Sequence, residues 1–173
     1  GQCMIGFPER GEAAPYYFTY IDKLANDDVM GTLEAQLAEA MELRAGIGEE
    51  KSLHRYAPEK WSIRQVLSHL NDTERIFTSR ALWFARGFDS ELPSFDQDAA
   101  AAAARADEVP WASHVEEFRA VRLATLSFLR NLPRDAWARR GVASGNSFTV
   151  RALAFIVAGH FAHHVAILRE RYL

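Results

Sequence analysis

The sequence predicts an all-α chain, an antiparallel four-helix bundle with a long crossover link between its second and third helices. Three observations predict it. Apolar residues recur at spacings of three and four in four long segments. Most of those segments are bounded by capping or stop residues. No run shows sustained strand alternation with hairpin turns, and the Tyr16–Ile21 stretch is the one short β-like patch.

The first segment runs from about Asp27 to Gly46. Met30, Leu33, Leu37 and Met41 fall on one face, Asp27 or Asp28 caps the start, and Gly46 and Gly48 punctuate the end. The second runs from about Ser62 to Gly87, and Ser62 with Gln65 forms a capping box that satisfies two orphan backbone donors. Its inner stripe holds Val66, His69, Thr73, Ile76, Phe77, Arg80 and Phe84. The third runs from about Pro110, suited to a first helical turn, to Asn131. Val115, Phe118, Arg122, Thr125 and Leu129 line it, and Pro133 marks the stop. The fourth runs from about Thr149, a good N-cap, to Tyr172. Leu153, Ile156, Val157, His160, His164, Ile167 and Leu168 share one face.

The connections are uneven. Residues 88–109 make a long acidic link whose alanine run, Ala99–Ala104, forms a short extra helix. Residues 133–148 are turn-rich. The expected organisation is one domain over residues 1–173, with residues 1–26 as an N-terminal extension packing on the bundle.

Composition narrows the function classes. The chain has 173 residues, one cysteine, 20 Lys+Arg against 23 Asp+Glu and 49% hydrophobic residues. A domain near this size buries about 70% of its unfolded surface and needs no disulfide staples. One cysteine excludes an internal bridge and favours a reducing compartment, so a cytoplasmic location is expected. Cys3, beside the terminus, reads as an uninvolved thiol. The net charge of −3 argues against nucleic-acid binding. The most apolar stretch, Ala152–Leu168, is short for a bilayer span and carries three histidines, so no membrane segment is expected.

The histidines carry the chemistry. His160 and His164, four apart, project from one helical face, a spacing that lets two imidazoles converge on one ion. His69 lies on the inner stripe of another helix, and bundle cores build metal sites from facing helices in this way. A three-histidine set leaves coordination positions open, which is the catalytic pattern. The alternative is a group of core histidines hydrogen-bonded to carbonyls, and spacing alone leaves both readings open. His163 lies on the flank of the stripe. His54 and His114 read as solvated.

Two motifs resemble a known family. Trp61-Ser62-Ile63-Arg64-Gln65-Val66-Leu67-Ser68-His69-Leu70-Asn71-Asp72-Thr73-Glu74-Arg75 resembles the second-helix motif of the DinB/YfiT-like superfamily, and Gly159-His160-Phe161-Ala162-His163-His164 resembles its last-helix motif. The resemblance implies a four-helix bundle with a long crossover, a metal triad of His69, His160 and His164, and frequently a homodimer. It implies a divalent ion, zinc or nickel most often, with iron or manganese as alternatives. Some relatives are S-transferases or isomerases that use a low-molecular-weight thiol (bacillithiol, mycothiol or glutathione) as cosubstrate. The resemblance supplies no substrate beyond a small molecule.

Two chemistries fit such an ion. One makes hydroxide for hydrolysis, and the other holds a thiolate for transfer to an electrophile. A non-catalytic metal-binding stress or interaction module is the further alternative. Asp72, three residues after His69, is a candidate to orient a ligand or act as a base, or else a surface charge. Glu74 and Arg75 read as solvated or locally paired. Arg80 and Arg122 sit on otherwise apolar stripes. Each is a candidate for binding a substrate carboxylate, or else a snorkelling or ion-paired side chain.

Overall fold

The computed structural model describes residues 5–173, so Cys3 lies outside the described residues. In chain order the elements are α1 Pro15–Ile21, α2 Val29–Gly46, α3 Ile63–Ala85, α4 Gln97–Ala104, α5 Trp111–Arg130, the hairpin strands β1 Arg140–Ala143 and β2 Asn146–Thr149, and α6 Val150–Ile167. A π-helical turn, Leu168–Tyr172, continues α6.

The four long helices start where side chains satisfy orphan amides. Asp28 accepts from Gly31 N, Ser62 and Gln65 close a capping box, and Thr149 accepts from Ala152 N. For α5 the cap comes from elsewhere. Pro110 offers no side-chain acceptor, and the Glu49 carboxylate, after α2, accepts from Trp111 N at 2.8 Å and Ala112 N at 3.1 Å. Those two backbone donors hold the Glu49 carboxyl below its ordinary range.

Helices α2, α3, α5 and α6 form a four-helix bundle. Its packed neighbours are α2–α5, α2–α6, α3–α5 and α3–α6, so α2 sits diagonally across from α3, and α5 from α6. Side-chain pairs give the directions. Arg130 meets Glu34, and Trp111 meets Glu49, so α5 runs antiparallel to α2. Asn71 meets His114 and Glu74 meets Arg122, so α5 runs parallel to α3. Parallel neighbours cannot be joined by a tight turn, and the long link carrying α4 is the crossover that this pair requires.

Two apolar clusters fill the ends of the bundle. One contains Leu33, Phe84, Leu126, Leu153 and Phe155, and the other Ile63, Val66, Phe118, Phe161 and Leu168. At intermediate positions on all four helices lies a polar tie. Arg122, fully buried, donates from Nε and Nη2 to Glu74 at 2.8–3.2 Å and from Nη1 to Leu33 O and Gln36 Oε1, both at 3.0 Å. Thr125 donates to Glu74 at 2.7 Å, and Gln36 donates to Ala158 O at 2.8 Å. The guanidinium also lies 5.0 Å and 5.4 Å from the Phe118 and Phe161 ring centroids. Every bundle helix contributes to this one network.

The structure corrects several expectations. Tyr16–Ile21 is helical: Pro15 opens α1, and Phe18 and Ile21 turn inward at helical spacing, which outweighs the local β preference of the tyrosines. The turn-rich segment contains a two-stranded hairpin, closed by Ser144 and Gly145, both at positive φ, as a two-residue hairpin turn demands. His114 is buried, not solvated, and its Nε2 is 2.8 Å from Ala106 O. Glu74 is buried opposite Arg122. The window around α6 is apolar and long enough to cross a membrane by composition, but 67% of it is buried inside the bundle, as in a core helix.

Residues before α2 are tied to the start of α6. Glu12 is buried, accepts from Thr149 Oγ1 at 2.8 Å and Arg151 Nε at 2.9 Å, and closes onto its own Glu9 N.

The polar tie yields a stability test. Glu74→Ala leaves the Arg122 charge buried without its acid and should cost about 3–5 kcal/mol in urea unfolding at pH 7. The double variant Glu74→Leu/Arg122→Met should lose much less, because no unpaired charge remains.

Candidate metal centre

The antiparallel contact of α3 with α6 brings three imidazoles together. His160 Nε2 lies 3.2 Å from His69 Nε2 and 3.1 Å from His164 Nε2. His69 and His160 are buried and His164 is half-buried. Among the described residues these three form the one cluster of potential ligands whose donor atoms all lie within 4.8 Å of one another.

The spacing fits a metal ion. Nitrogens held at about 2.0–2.1 Å lie about 3.3 Å apart around a tetrahedral ion and about 2.9 Å apart at adjacent octahedral positions. The two separations from His160 Nε2 fall between these limits, and His69 and His164 bring donor nitrogens within 4.8 Å of each other. A directed hydrogen bond accounts for only one of the two contacts, because His160 Nε2 carries either one N–H or one lone pair and faces two other ring nitrogens.

The surroundings hold the rings in the ligand form. Burial pushes His69 down to about 4 and, with the neighbouring His69 and His163, pushes His164 down to about 3. Burial, and then His164, carries His160 well below its usual value. Neutral imidazole is the species that binds metal. Thr73 lies beside His160 Nδ1 at 3.4 Å while donating its hydroxyl proton to His69 O at 2.8 Å. That leaves the threonine oxygen as the acceptor. It favours the tautomer with the proton on His160 Nδ1 and the Nε2 lone pair directed at the cluster.

Aromatic rings wall the centre. Trp61 packs on His69, and Tyr20 meets His160 and His163 edge-on. Tyr20 reaches this position because α1 lies directly on α6. A Cβ at Gly159 would stand 2.2 Å from Tyr20 O, so only glycine permits the approach. A cavity of about 120 Å³ adjoins His160 and is lined by Tyr17, Tyr20, Thr73, Phe77 and Arg80 among others. A larger groove of about 370 Å³ between α3 and α5 contains none of the histidines.

The other predicted site residues fall in different places. Asp72 is half-buried and faces Glu117, which together with burial raises its pKa. No hydrogen bond joins it to the three imidazoles, and Thr73 occupies the ligand-orienting place expected for Asp72. Arg80 does line the cavity beside His160. Arg122 does not: all three of its nitrogens are engaged within the polar tie, so the expected substrate role gives way to the ion-paired one. Sequence reasoning missed Thr73 and Tyr20. Thr73 was legible as a residue four after His69 on the same stripe, whereas nothing local marked Tyr20.

Residues 32–168 match the family model of the DinB superfamily. Among solved structures the chain is similar to YfiT from Bacillus subtilis, described as a probable metal-dependent hydrolase with an unusual four-helix bundle topology. The TM-score is 0.69 at 17% identity, over 94% of this chain and 89% of YfiT. That likeness shows the fold. No curated protein matches the chain.

The depressed histidines make metal-free stability pH-dependent. Each takes up a proton on unfolding between its folded value and about 6.5. Stability is therefore full above about pH 6.5 and falls as pH drops toward 4, with a slope of about 1.4 kcal/mol per pH unit for each proton taken up. Urea unfolding of chelator-treated protein from pH 7 to 4 should show this loss, and His164→Leu should reduce the slope.

Proposed function

The chain belongs to the DinB superfamily, and on that premise we propose that it is a divalent-metal-dependent enzyme of the thiol-dependent S-transferase type, acting on a small molecule. The observation that carries the reading is three converging neutral imidazoles beside a cavity, with no fourth donor in the cluster among the described residues. Such a set belongs to ions that keep positions open for reaction. The family resemblance points to zinc or nickel, both compatible with imidazole donors, with iron or manganese as alternatives.

When bound, the ion supplies Lewis acidity and lowers the pKa of a coordinated thiol or water. The residues supply the rest. His69, His160 and His164 hold the ion without neutralising its charge. Thr73 fixes the His160 ring. Trp61 and Tyr20 cover the imidazoles and restrict water. The only cysteine in the sequence, Cys3, lies outside the described residues, and the reading takes its thiol from a small-molecule cosubstrate. In the transfer its sulfur bonds to the electrophilic carbon, the leaving group departs with the bonding electrons, and the thiol proton passes to solvent. The reading includes a cytoplasmic homodimer, in a compartment where low-molecular-weight thiols stay reduced.

Hydrolysis is the second reading, favoured by the description of YfiT. A purely metal-binding module is disfavoured by the cavity at His160, which such a module does not need.

Protein reconstituted with zinc or nickel should consume glutathione, bacillithiol or mycothiol in the presence of an electrophile such as 1-chloro-2,4-dinitrobenzene, with the conjugate seen by mass spectrometry. His160→Ala should abolish turnover while the helical circular-dichroism signal is retained. Ester cleavage without any thiol would instead establish the hydrolase reading. A metal-loaded protein inert in both assays would overturn the enzymatic proposal.

A further inference from the structure

Arg80 is the buried arginine whose charge has no acid. The other buried guanidiniums are paired, Arg122 with Glu74 and Arg64 with Glu49. Arg80 is 6% exposed, yet among the described residues no carboxylate comes within 4.0 Å of it. Its Nη2 donates to Pro93 O at a long 3.3 Å, and the Tyr17 hydroxyl lies beside it. A buried guanidinium is costly without a counter-charge, and its planar fork matches a carboxylate.

The surroundings define what completes it. Arg80 faces the cavity that also reaches His160. The lining contains no acidic residue and no lysine, so Arg80 is its single fixed positive charge. A doubly charged phosphate would be under-matched there. Tyr17, Tyr20, Phe77 and Phe95 supply flat aromatic walls. Along α3, Arg80 stands seven residues beyond Thr73, which touches His160, an axial distance of about 10.5 Å. The arginine side chain leans back toward the N-terminus and shortens that span. A molecule filling it is about as long as one ring with a short carboxylate arm.

We propose that this cavity takes a compact monocarboxylate with a flat apolar body, its carboxylate gripped by Arg80 and its other end directed toward the three histidines. The direction of the bound molecule rests on the histidines being the reactive centre, whereas the grip on the carboxylate does not.

The test is calorimetric titration of phenylacetate into the whole protein, zinc-loaded and chelator-stripped. Phenylacetate should bind in both states. Phenylacetamide and phenyl phosphate should bind more weakly. Arg80→Met should weaken phenylacetate by about 10–100-fold, the loss expected for hydrogen bonds to a charged group. Its melting temperature should be retained, because the variant removes an unpaired buried charge. Arg80→Lys, which keeps the charge without the fork, should fall between Met and wild type and serves if the Met variant does not fold. Equal affinity in Arg80→Met, or tighter binding of phenyl phosphate, would overturn the proposal. So would binding that needs zinc and is lost in His160→Ala but not in Arg80→Met, because the carboxylate would then sit at the metal. A chain that binds phenylacetate through Arg80 but takes up no zinc would overturn the metal reading and leave this pocket standing. Zinc uptake without phenylacetate binding would do the reverse.

Discussion

Glu74 and Arg122 form the buried pair on which the remaining geometry depends. Burying two charges is expensive, and the cost is offset only when every donor and acceptor is placed well. Here the placement draws on all four bundle helices: Leu33 and Gln36 from α2, Glu74 from α3, Arg122 and Thr125 from α5, and Ala158 from α6. A slip of one helix by a turn would strand a charge. The tie thus fixes the register of α3 against α6, and Thr73 and His160 lie within two residues of its members. The histidine separations of 3.1–3.2 Å are a local consequence of that register.

The segment before the bundle finishes the centre. Glu12 secures it to the N-cap of α6, and the bare backbone of Gly159 lets α1 settle on the same helix one residue before His160. Tyr17 and Tyr20 thereby become walls of the cavity. The long crossover adds Phe95 and Gln97, which flank the α4 cap Asp96. With Ser144 of the hairpin turn, three segments outside the bundle helices therefore shape the space next to the imidazoles, and the bundle supplies the ligands.

The four long helices were legible in sequence because each buries one continuous stripe, and stripes and caps are local signals. The three histidines were legible for the same reason, since side chains on inner stripes of packed helices must meet. Arg122 was legible only as an anomaly on its stripe, because its partner is 48 residues away. Glu74 reads as solvated or locally paired because it lies off the apolar stripe of α3, and nothing local announces the second helix that faces it. The hairpin escaped because its strands are four residues each, too short to show a period. His114 and Tyr20 take their roles from contacts set by tertiary packing, and neither carries a local mark.

X-ray absorption at the metal edge, on protein purified in buffer containing zinc and checked for metal content, reads the donor set at His69, His160 and His164. The expected result is one ion per chain with three imidazole nitrogens at about 2.0–2.1 Å and a remaining light-atom position open to exchange. Sub-stoichiometric metal after reconstitution would contradict it, as would an ion ligated mainly by oxygen. So would a spectrum unchanged when His69, His160 or His164 is replaced by alanine.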